Sequence, residues 1–179
     1  MLQRDRFSLT LSGPDASGYI AALCKALDSV GASITDARLA RLHGQLAGVV
    51  VVEAEAGLHE KLITHVAQLS HCGVKCHIQR LPHLPNKATR PFIMTYRGGD
   101  RPGLLHVLGK ELVHLGCDYT SVRVDAVTEG GITDYVLTCD IEAPKRVTRQ
   151  ELESMVADVG GRFGAALLVM PADLDDLLP

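Results

Sequence analysis

The chain alternates apolar and polar side chains over residues 7–12 (Phe-Ser-Leu-Thr-Leu-Ser), the period of a strand with one buried face. Apolar positions then recur at helical spacing between residues 19 and 30 and form one stripe. Gly31 follows that stripe, and glycine readily takes the left-handed conformation that ends a helix. The pattern therefore predicts a strand followed by an amphipathic helix.

A predicted hairpin and a second helix complete the first half of the chain. Segments 32–43 and 45–54 have an extended pattern, and Gly44 between them suits a hairpin turn. A second helix follows, and segment 74–81 predicts a last strand. The apolar face predicted for this helix consists of Leu58, Leu62, Ile63, Val66 and Leu69, and Gly73 closes it.

The same pattern returns 85 residues later. The aligned pairs include Phe7 and Phe92, Leu9 and Met94, Gly13 and Gly98, Asp15 and Asp100, Gly18 and Gly103, Gly31 and Gly116, and Arg38 and Arg123, without a gap. A match of this extent indicates a duplication, and an internal repeat outranks other fold signals.

The rest of the second half follows the order of the first. Segments 118–128 and 131–142 predict a hairpin. Residues 148–151 (Thr-Arg-Gln-Glu) form a capping-box sequence at the start of a helix, and segment 163–170 predicts the last strand. The side chains expected to face inward from this helix are Leu152, Met155, Val156 and Val159.

The order βαββαβ, found twice, predicts an α+β fold of two ferredoxin-like domains in tandem. Each domain should have an antiparallel sheet with both helices on one face. We expect the domains over residues 1–81 and 92–171, a linker with three prolines over 82–91, and an acidic C-terminal tail over 172–179. Pairing of sheet edges or sheet faces, including pairing in a homo-oligomer, would protect the exposed strand edges.

Composition narrows the classes of partner. The formal net charge is −3, so the chain has no overall attraction for nucleic acid or an anionic membrane. The first six residues lack the apolar core of a secretory signal, and the longest apolar run, residues 46–52, is too short to span a bilayer. Five cysteines are too sparse for a disulfide scaffold. We therefore expect a reduced, cytoplasmic protein.

The turn after each first strand carries the motif for a family resemblance. In the second copy it reads Asp100-Arg101-Pro102-Gly103-Leu104-Leu105, whereas the first copy departs from it with Asp15-Ala16-Ser17-Gly18. A βαββαβ unit with Asp-Arg-Pro-Gly at this turn resembles the ACT domain, over nearly the whole chain apart from the linker and the tail. The resemblance implies a regulatory module that binds amino acids or similar small molecules between paired domains. Two ACT domains in one chain resemble the glycine cleavage system transcriptional repressors, which implies action through contact with a DNA-binding activator.

The turn also has a use that follows from its residues alone. A helix N-terminus presents free N–H groups and about half a positive charge, so it suits a carboxylate. Gly103 and Gly18 allow a ligand to approach the backbone. Asp100 and Asp15 are placed either to meet a ligand ammonium group or to cap the helix, and capping alone is the expectation for Asp15.

The two copies are expected to differ in strength. Pro102 presets a helical φ that Ser17 does not, and Arg101 offers a forked donor to a carboxylate where the first copy has Ala16. The second copy is therefore the predicted stronger site. The family resemblance adds Ser33 and Asp118, at the start of each second strand, as contributions from a facing domain, with turn polarity as the alternative. The complete candidate ligand-binding set is Asp100, Arg101, Pro102, Gly103, Leu104, Asp118, Asp15, Ser17, Gly18 and Ser33.

Catalytic and metal-binding motifs are not apparent in the sequence. Residues 71–77 (His-Cys-Gly-Val-Lys-Cys-His) are the most metal-like stretch, but Cys76 and His77 would point to opposite faces of a strand. The turn at residues 98–103 lacks the Gly-Lys-Ser/Thr of a phosphate loop. We therefore expect no enzyme activity, no catalytic residue, no metal and no cofactor.

The predicted function is that of an amino-acid-responsive regulator, with glycine or serine as the suspected ligand. It would act through ligand-modulated contact with a protein partner, such as a DNA-binding transcription activator, and not through direct DNA binding. One alternative is a free-standing regulatory subunit of an amino-acid metabolic enzyme. Another is an interaction module of the same fold that has lost its ligand.

Overall fold

A computed structural model describes residues 4–69, 73–82 and 88–172. The chain divides into two compact units, Met1–Pro85 and Asn86–Pro179. Each unit has the element order βαββαβ and one four-stranded antiparallel sheet. The predicted fold class is confirmed.

The first unit places its first strand at the centre of the sheet, and the order across the sheet is β2-β3-β1-β4. Its elements are β1 (Arg4–Pro14), α1 (Tyr19–Ser29), β2 (Ser33–Leu42), β3 (Gln45–Glu55), α2 (His59–Ala67) and β4 (Lys75–Arg80). The second unit has the corresponding order, β6-β7-β5-β8. Its elements are β5 (Thr89–Gly98), α3 (Leu104–Leu115), β6 (Asp118–Glu129), β7 (Ile132–Pro144), α4 (Arg149–Phe163) and β8 (Leu167–Pro171).

Each unit has its own aliphatic core between one sheet face and the two helices. In β1 and β5 every second side chain is buried, as the alternation predicts, and the helical stripes of α1 and α3 cover them. The central buried side chains of the first unit are Phe7, Leu9, Leu11, Leu23, Leu27, Leu62 and Val66. Those of the second unit are Phe92, Met94, Tyr96, Leu104, Leu108, Leu112, Leu152, Val156 and Val159.

One residue of the predicted helical faces is exposed. Ile63 was expected on the buried face of α2, but 42% of it is accessible, whereas its neighbour Leu62 is fully buried. Successive residues of an α-helix point about 100° apart, so with Leu62 directed into the core, Ile63 lies at the edge of the buried stripe of α2. The capping box of α4 is confirmed, because the Glu151 N–H donates to Thr148 Oγ1 and the Thr148 N–H donates to the Glu151 carboxylate.

The two copies differ in length after the first helix. Val52 pairs with Phe7 in the first unit, and Ile141 pairs with Phe92 in the second. Matching residues of the two units are 85 positions apart up to the second strand, and from the third strand they are 141 − 52 = 89 positions apart. The four extra residues lie in the β6–β7 hairpin, which turns at Gly130 and Gly131. This longer hairpin extends beside the turn between β5 and α3.

Strand β5 begins earlier than predicted, at Thr89, so residues 89–91 of the expected linker lie in the sheet. The Pro91 carbonyl accepts a hydrogen bond from the Ala172 N–H and therefore points towards β8. Because the nitrogen and the carbonyl of one strand residue point to the same side, the Pro91 nitrogen also faces β8. Strand β8 pairs with β5 only as far as Phe92, and the missing N–H therefore breaks no ladder bond. Residues 83–87 of the linker and 173–179 of the tail lie outside the described residues.

The start of the last strand was also predicted wrongly, because α4 continues to Phe163 and β8 begins at Leu167. Two glycines inside the helix do not end it. Gly160 stays helical where the backbone passes Ala165, and a Cβ at this position would collide with the Ala165 carbonyl oxygen. Gly164, with φ 59°, ends the helix instead.

This packing predicts opposite effects for two neighbouring glycines. Gly160→Ala should destabilise the second unit by roughly 1–3 kcal/mol, because the methyl group forces α4 away from Ala165. Gly161→Ala should stabilise it by roughly 0.5–1 kcal/mol, because the new methyl group meets no atom within 4 Å and alanine loses less backbone entropy in a helix. Urea unfolding followed by circular dichroism measures both changes. Equal stability of the two variants would contradict this account of the close approach.

Candidate ligand-binding site

The turn between β5 and α3 begins the helix with a glycine in place of a capping side chain. Gly103 is the N-cap residue, with φ 85°, and no side chain caps the helix. Gly18 has the same role at α1, with φ 79°. The capping alternative for Asp100 and Asp15 is therefore wrong, because in the described structure neither carboxylate accepts a hydrogen bond from a helix N–H.

The first turn of α3 leaves two N–H groups without an acceptor among the described residues. The Leu104 N–H donates to the Arg101 carbonyl at 3.1 Å, and the Val107 N–H donates to the Gly103 carbonyl at 3.0 Å. The N–H groups of Leu105 and His106 lie between them, and the first turn has no acidic residue. The positive end of the helix dipole is therefore available to an anionic group.

A pocket of about 330 Å³ lies at this turn. That volume is at the lower end of the roughly 300–1,000 Å³ of small-molecule sites. Buried side chains from β5, α3 and β7 give it an apolar wall, and the turn gives it a polar rim. Its lining residues are Tyr96, Asp100, Arg101, Pro102, Gly103, Leu104, Leu105, His106, Val124, Tyr135 and Leu137.

Five of the predicted site residues, the run from Asp100 to Leu104, therefore line one pocket. The Asp100 carboxylate has no ion-pair or hydrogen-bond partner within residues 4–69, 73–82 and 88–172. The Arg101 guanidinium lies 3.4 Å from the Asp100 carbonyl oxygen and 3.5 Å from that of Gly164. These long contacts leave an exposed cation at the rim of the pocket.

Tyr96 is a component of the site that the sequence analysis missed. Its buried hydroxyl donates to the Gly99 carbonyl at 2.7 Å and so ties the end of β5 to the turn. A Cβ on Gly98 would lie 2.6 Å from that hydroxyl, which explains the glycine there. The repeat alignment contained a signal for this role. The matching residue of the first unit is Leu11, so only the second unit has a hydroxyl group at this position.

The corresponding turn of the first unit is tied to its own sheet. Arg41 Nε lies 3.1 Å from Asp15 Oδ1, and the Asp15 N–H donates to the Gly44 carbonyl at 2.9 Å. Ser17 and Gly18 are exposed at the same turn. The sequence analysis did not anticipate the contact with Arg41, which comes from a strand 26 residues further along the chain.

Ser33 and Asp118 are not brought to the turn of their own unit. Asp118 pairs with Glu142, which pairs with Pro91, seven residues along β5 from Gly98. At about 3.3 Å per residue the separation is about 23 Å. Ser33 has the matching position in the first unit, and the Asp118 carboxylate accepts the Tyr119 N–H at 2.8 Å. Neither residue can complete the site of its own unit.

A family model described as the ACT domain matches residues 6–77. The second unit repeats the fold of the first, strand for strand and helix for helix. Residues 6–77 form an ACT domain, and the chain as a whole has the tandem ACT fold.

Two solved structures share this tandem fold over nearly their whole length. An unknown protein from Galdieria sulphuraria superposes with a TM-score of 0.80 and 19% identity, covering 96% of this chain and 100% of that one. A protein provisionally assigned as a glycine cleavage system transcriptional repressor gives a TM-score of 0.69 and 12% identity, covering 94% and 98%. At these identities the likeness concerns the fold.

Curated relatives of the tandem ACT chain include an enzyme. The bifunctional uridylyltransferase/uridylyl-removing enzyme of Aliivibrio fischeri is 28% identical over 141 residues. The match covers 76% of this chain, and so includes parts of both ACT units, but the chain spans only 16% of the length of that enzyme.

The metal-like stretch of the first ACT unit has the geometry of an ordinary strand. Cys76 pairs with Leu11 on the core side, and the next residue, His77, pairs with Thr10 on the opposite face. Burial raises the pKa of the Cys76 thiol to about 11, which keeps it protonated near neutral pH. The described part of the chain contains no group of three metal-ligating side chains and no helix able to span a membrane. His71 and Cys72 lie outside the described residues.

The tie from Tyr96 to the turn of the second ACT unit is open to a conservative test. Tyr96→Phe should lower the free energy of unfolding by about 1 kcal/mol, because it leaves the Gly99 carbonyl without its part-buried donor. Tyr135→Phe should leave stability unchanged, because its hydroxyl has no partner among the described residues. Thermal and urea unfolding of both variants provide the comparison. An unchanged Tyr96→Phe protein would show that the turn does not depend on this hydrogen bond.

Proposed function

We propose that this tandem ACT protein is an amino-acid-responsive regulator of the glycine cleavage repressor type. The second ACT unit binds a small amino acid at the turn between β5 and α3. The observation that carries the proposal is the pocket at that turn, where neither Asp100 nor two N–H groups of the helix have a partner among the described residues. The family match and the tandem fold support the regulatory class.

A zwitterionic amino acid matches the charges of the pocket. Its carboxylate accepts hydrogen bonds from the Leu105 and His106 N–H groups, with Arg101 as an additional cation at the rim. Its ammonium group meets the Asp100 carboxylate. The small volume and the apolar wall favour a short side chain, so glycine and serine are the first candidates.

Regulation requires that the ligand bind one arrangement of the protein better than another. Asp118 lies about 23 Å from the turn of its own unit, and Ser33 has the matching position in the first unit. We therefore place the second half of the site on Asp118 or Ser33 of a second copy of the chain. Binding at such an interface changes the surface presented to a protein partner. The partner we propose is a DNA-binding transcription activator, because a net charge of −3 gives this chain little attraction for DNA itself.

The enzyme relative favours a second candidate function. The segment that matches the uridylyltransferase/uridylyl-removing enzyme includes parts of both ACT units of this chain. The alternative is therefore a free-standing regulatory subunit of an amino-acid metabolic enzyme. In both cases we propose that the chain binds its ligand without converting it.

Binding should depend on the Asp of the second unit. In calorimetric titrations with glycine, serine and the other amino acids, Asp100→Asn should weaken binding about tenfold or more, because it removes a charged partner of the ammonium group. The matched variant Asp15→Asn should bind as the wild type does. The reverse ranking would place the site in the first unit, and no binding by any amino acid would contradict the proposed function.

Capture of the tagged chain from its native cell distinguishes the two candidate functions. We expect a transcription activator to be retained, and its retention to change when the bound amino acid is added. Retention of a metabolic enzyme in its place would support the regulatory-subunit alternative.

A further inference from the structure

Both turns have an Asp at the same position, but among the described residues only the Asp of the first turn has a cationic partner. Arg41 pairs across the sheet with Leu46, which pairs with Gly13, the glycine at the start of the first turn. In the second unit Ala126 pairs with Tyr135, which pairs with Gly98. Arg41 and Ala126 therefore occupy the same place in their sheets, and only the first unit has a cation there.

That cation is engaged with the Asp of the turn. Arg41 Nε lies 3.1 Å from Asp15 Oδ1, and both side chains are partly exposed. The backbone strengthens the connection, because the Asp15 N–H donates to the carbonyl of Gly44 in the tight β2–β3 hairpin. His43 and Gly44 form this hairpin turn with φ of 48° and 75°.

The second unit lacks both ties. Its hairpin is four residues longer and turns at Gly130 and Gly131, three residue pairs beyond Tyr135, so the carbonyls of the turn are carried past Asp100. The side chain at the position of Arg41 is the methyl group of Ala126. Asp100 consequently lines an open pocket without a partner among the described residues.

We propose that Arg41 is a built-in occupant of the first turn, and that it takes the place on Asp15 that the ammonium group of a ligand takes on Asp100. This inference rests on the proposed function for the identity of the ligand, but the closure of the first turn stands on its own geometry. The fold already holds Arg41 beside Asp15, whereas a free amino acid must lose translational and rotational freedom to bind there, so it competes poorly for Asp15. The first unit is the closed copy and the second unit is the ligand site.

Two reciprocal exchanges test the proposal. Arg41→Ala installs the residue that the second unit carries at the same place, and Ala126→Arg installs the residue of the first. Arg41→Lys, which retains a cation, is the conservative control, and circular dichroism checks that each variant is folded.

Amide hydrogen exchange without any ligand gives the first readout. Arg41→Ala should speed exchange at Asp15 and across residues 13–18 and leave residues 98–103 unchanged, whereas Arg41→Lys should resemble the wild type. Ala126→Arg should slow exchange across residues 98–103. Unchanged exchange at residues 13–18 in Arg41→Ala would overturn the proposal.

Calorimetric titration with glycine and with serine gives the second readout. We expect one site per chain in the wild type, two in Arg41→Ala, and loss of binding in Ala126→Arg. Two sites in the wild type, or one remaining in a folded Arg41→Ala protein, would overturn the proposal. If neither amino acid binds any variant, the proposed ligand is wrong, and the exchange data alone decide whether Arg41 closes the first turn.

Discussion

The candidate site depends on the way each ACT unit starts its first helix. A left-handed glycine, Gly103 or Gly18, turns the chain from the central strand into the helix, and no side chain of the described residues caps the helix end. The first N–H groups of the helix are therefore left to an acceptor from outside the turn. The central strand and the helix are both packed in the core, so this polar end is held in one place.

Duplication followed by local change explains why two copies of one fold differ at this point. Most buried positions are equivalent in the two units, and they maintain the same layers. Three changes lie near the turn: Tyr96 stands where the first unit has Leu11, Ala126 stands where it has Arg41, and the hairpin beside the turn is four residues longer in the second unit. Leu11 and Tyr96 are both buried, so that exchange keeps a large apolar side chain in the core, whereas Arg41 and Ala126 are exposed and bury little apolar area. They can therefore change while the core is retained.

The duplicated pattern predicted most of the fold because its periods reflect local geometry. A strand alternates with period two and a helix with period 3.6, and the positions from Tyr19 to Val30 satisfy the second period as residues 7–12 satisfy the first. Element ends were less predictable. The last strand was predicted to begin at residue 163, but the helix continues to Phe163, with Gly160 helical where the backbone of Ala165 leaves no room for a side chain. Pro91 suggested a linker, but its nitrogen lies where the sheet requires no donor.

The sequence by itself determined the two βαββαβ units, the glycine turn before each first helix, and the run from Asp100 to Leu104 as one candidate site. These features depend on residues that are neighbours along the chain or on the same helical or strand face. Only the tertiary structure decided the state of each turn, because the contact of Arg41 with Asp15 and the hydrogen bond from the Asp15 N–H to the Gly44 carbonyl depend on strand register. The register sets which side chain of β2 or β6 lies beside the turn, and the length of the hairpin sets which carbonyl reaches it. Pairing between strands that are distant along the chain leaves no periodic pattern in a single sequence, so the sequence could not predict these contacts.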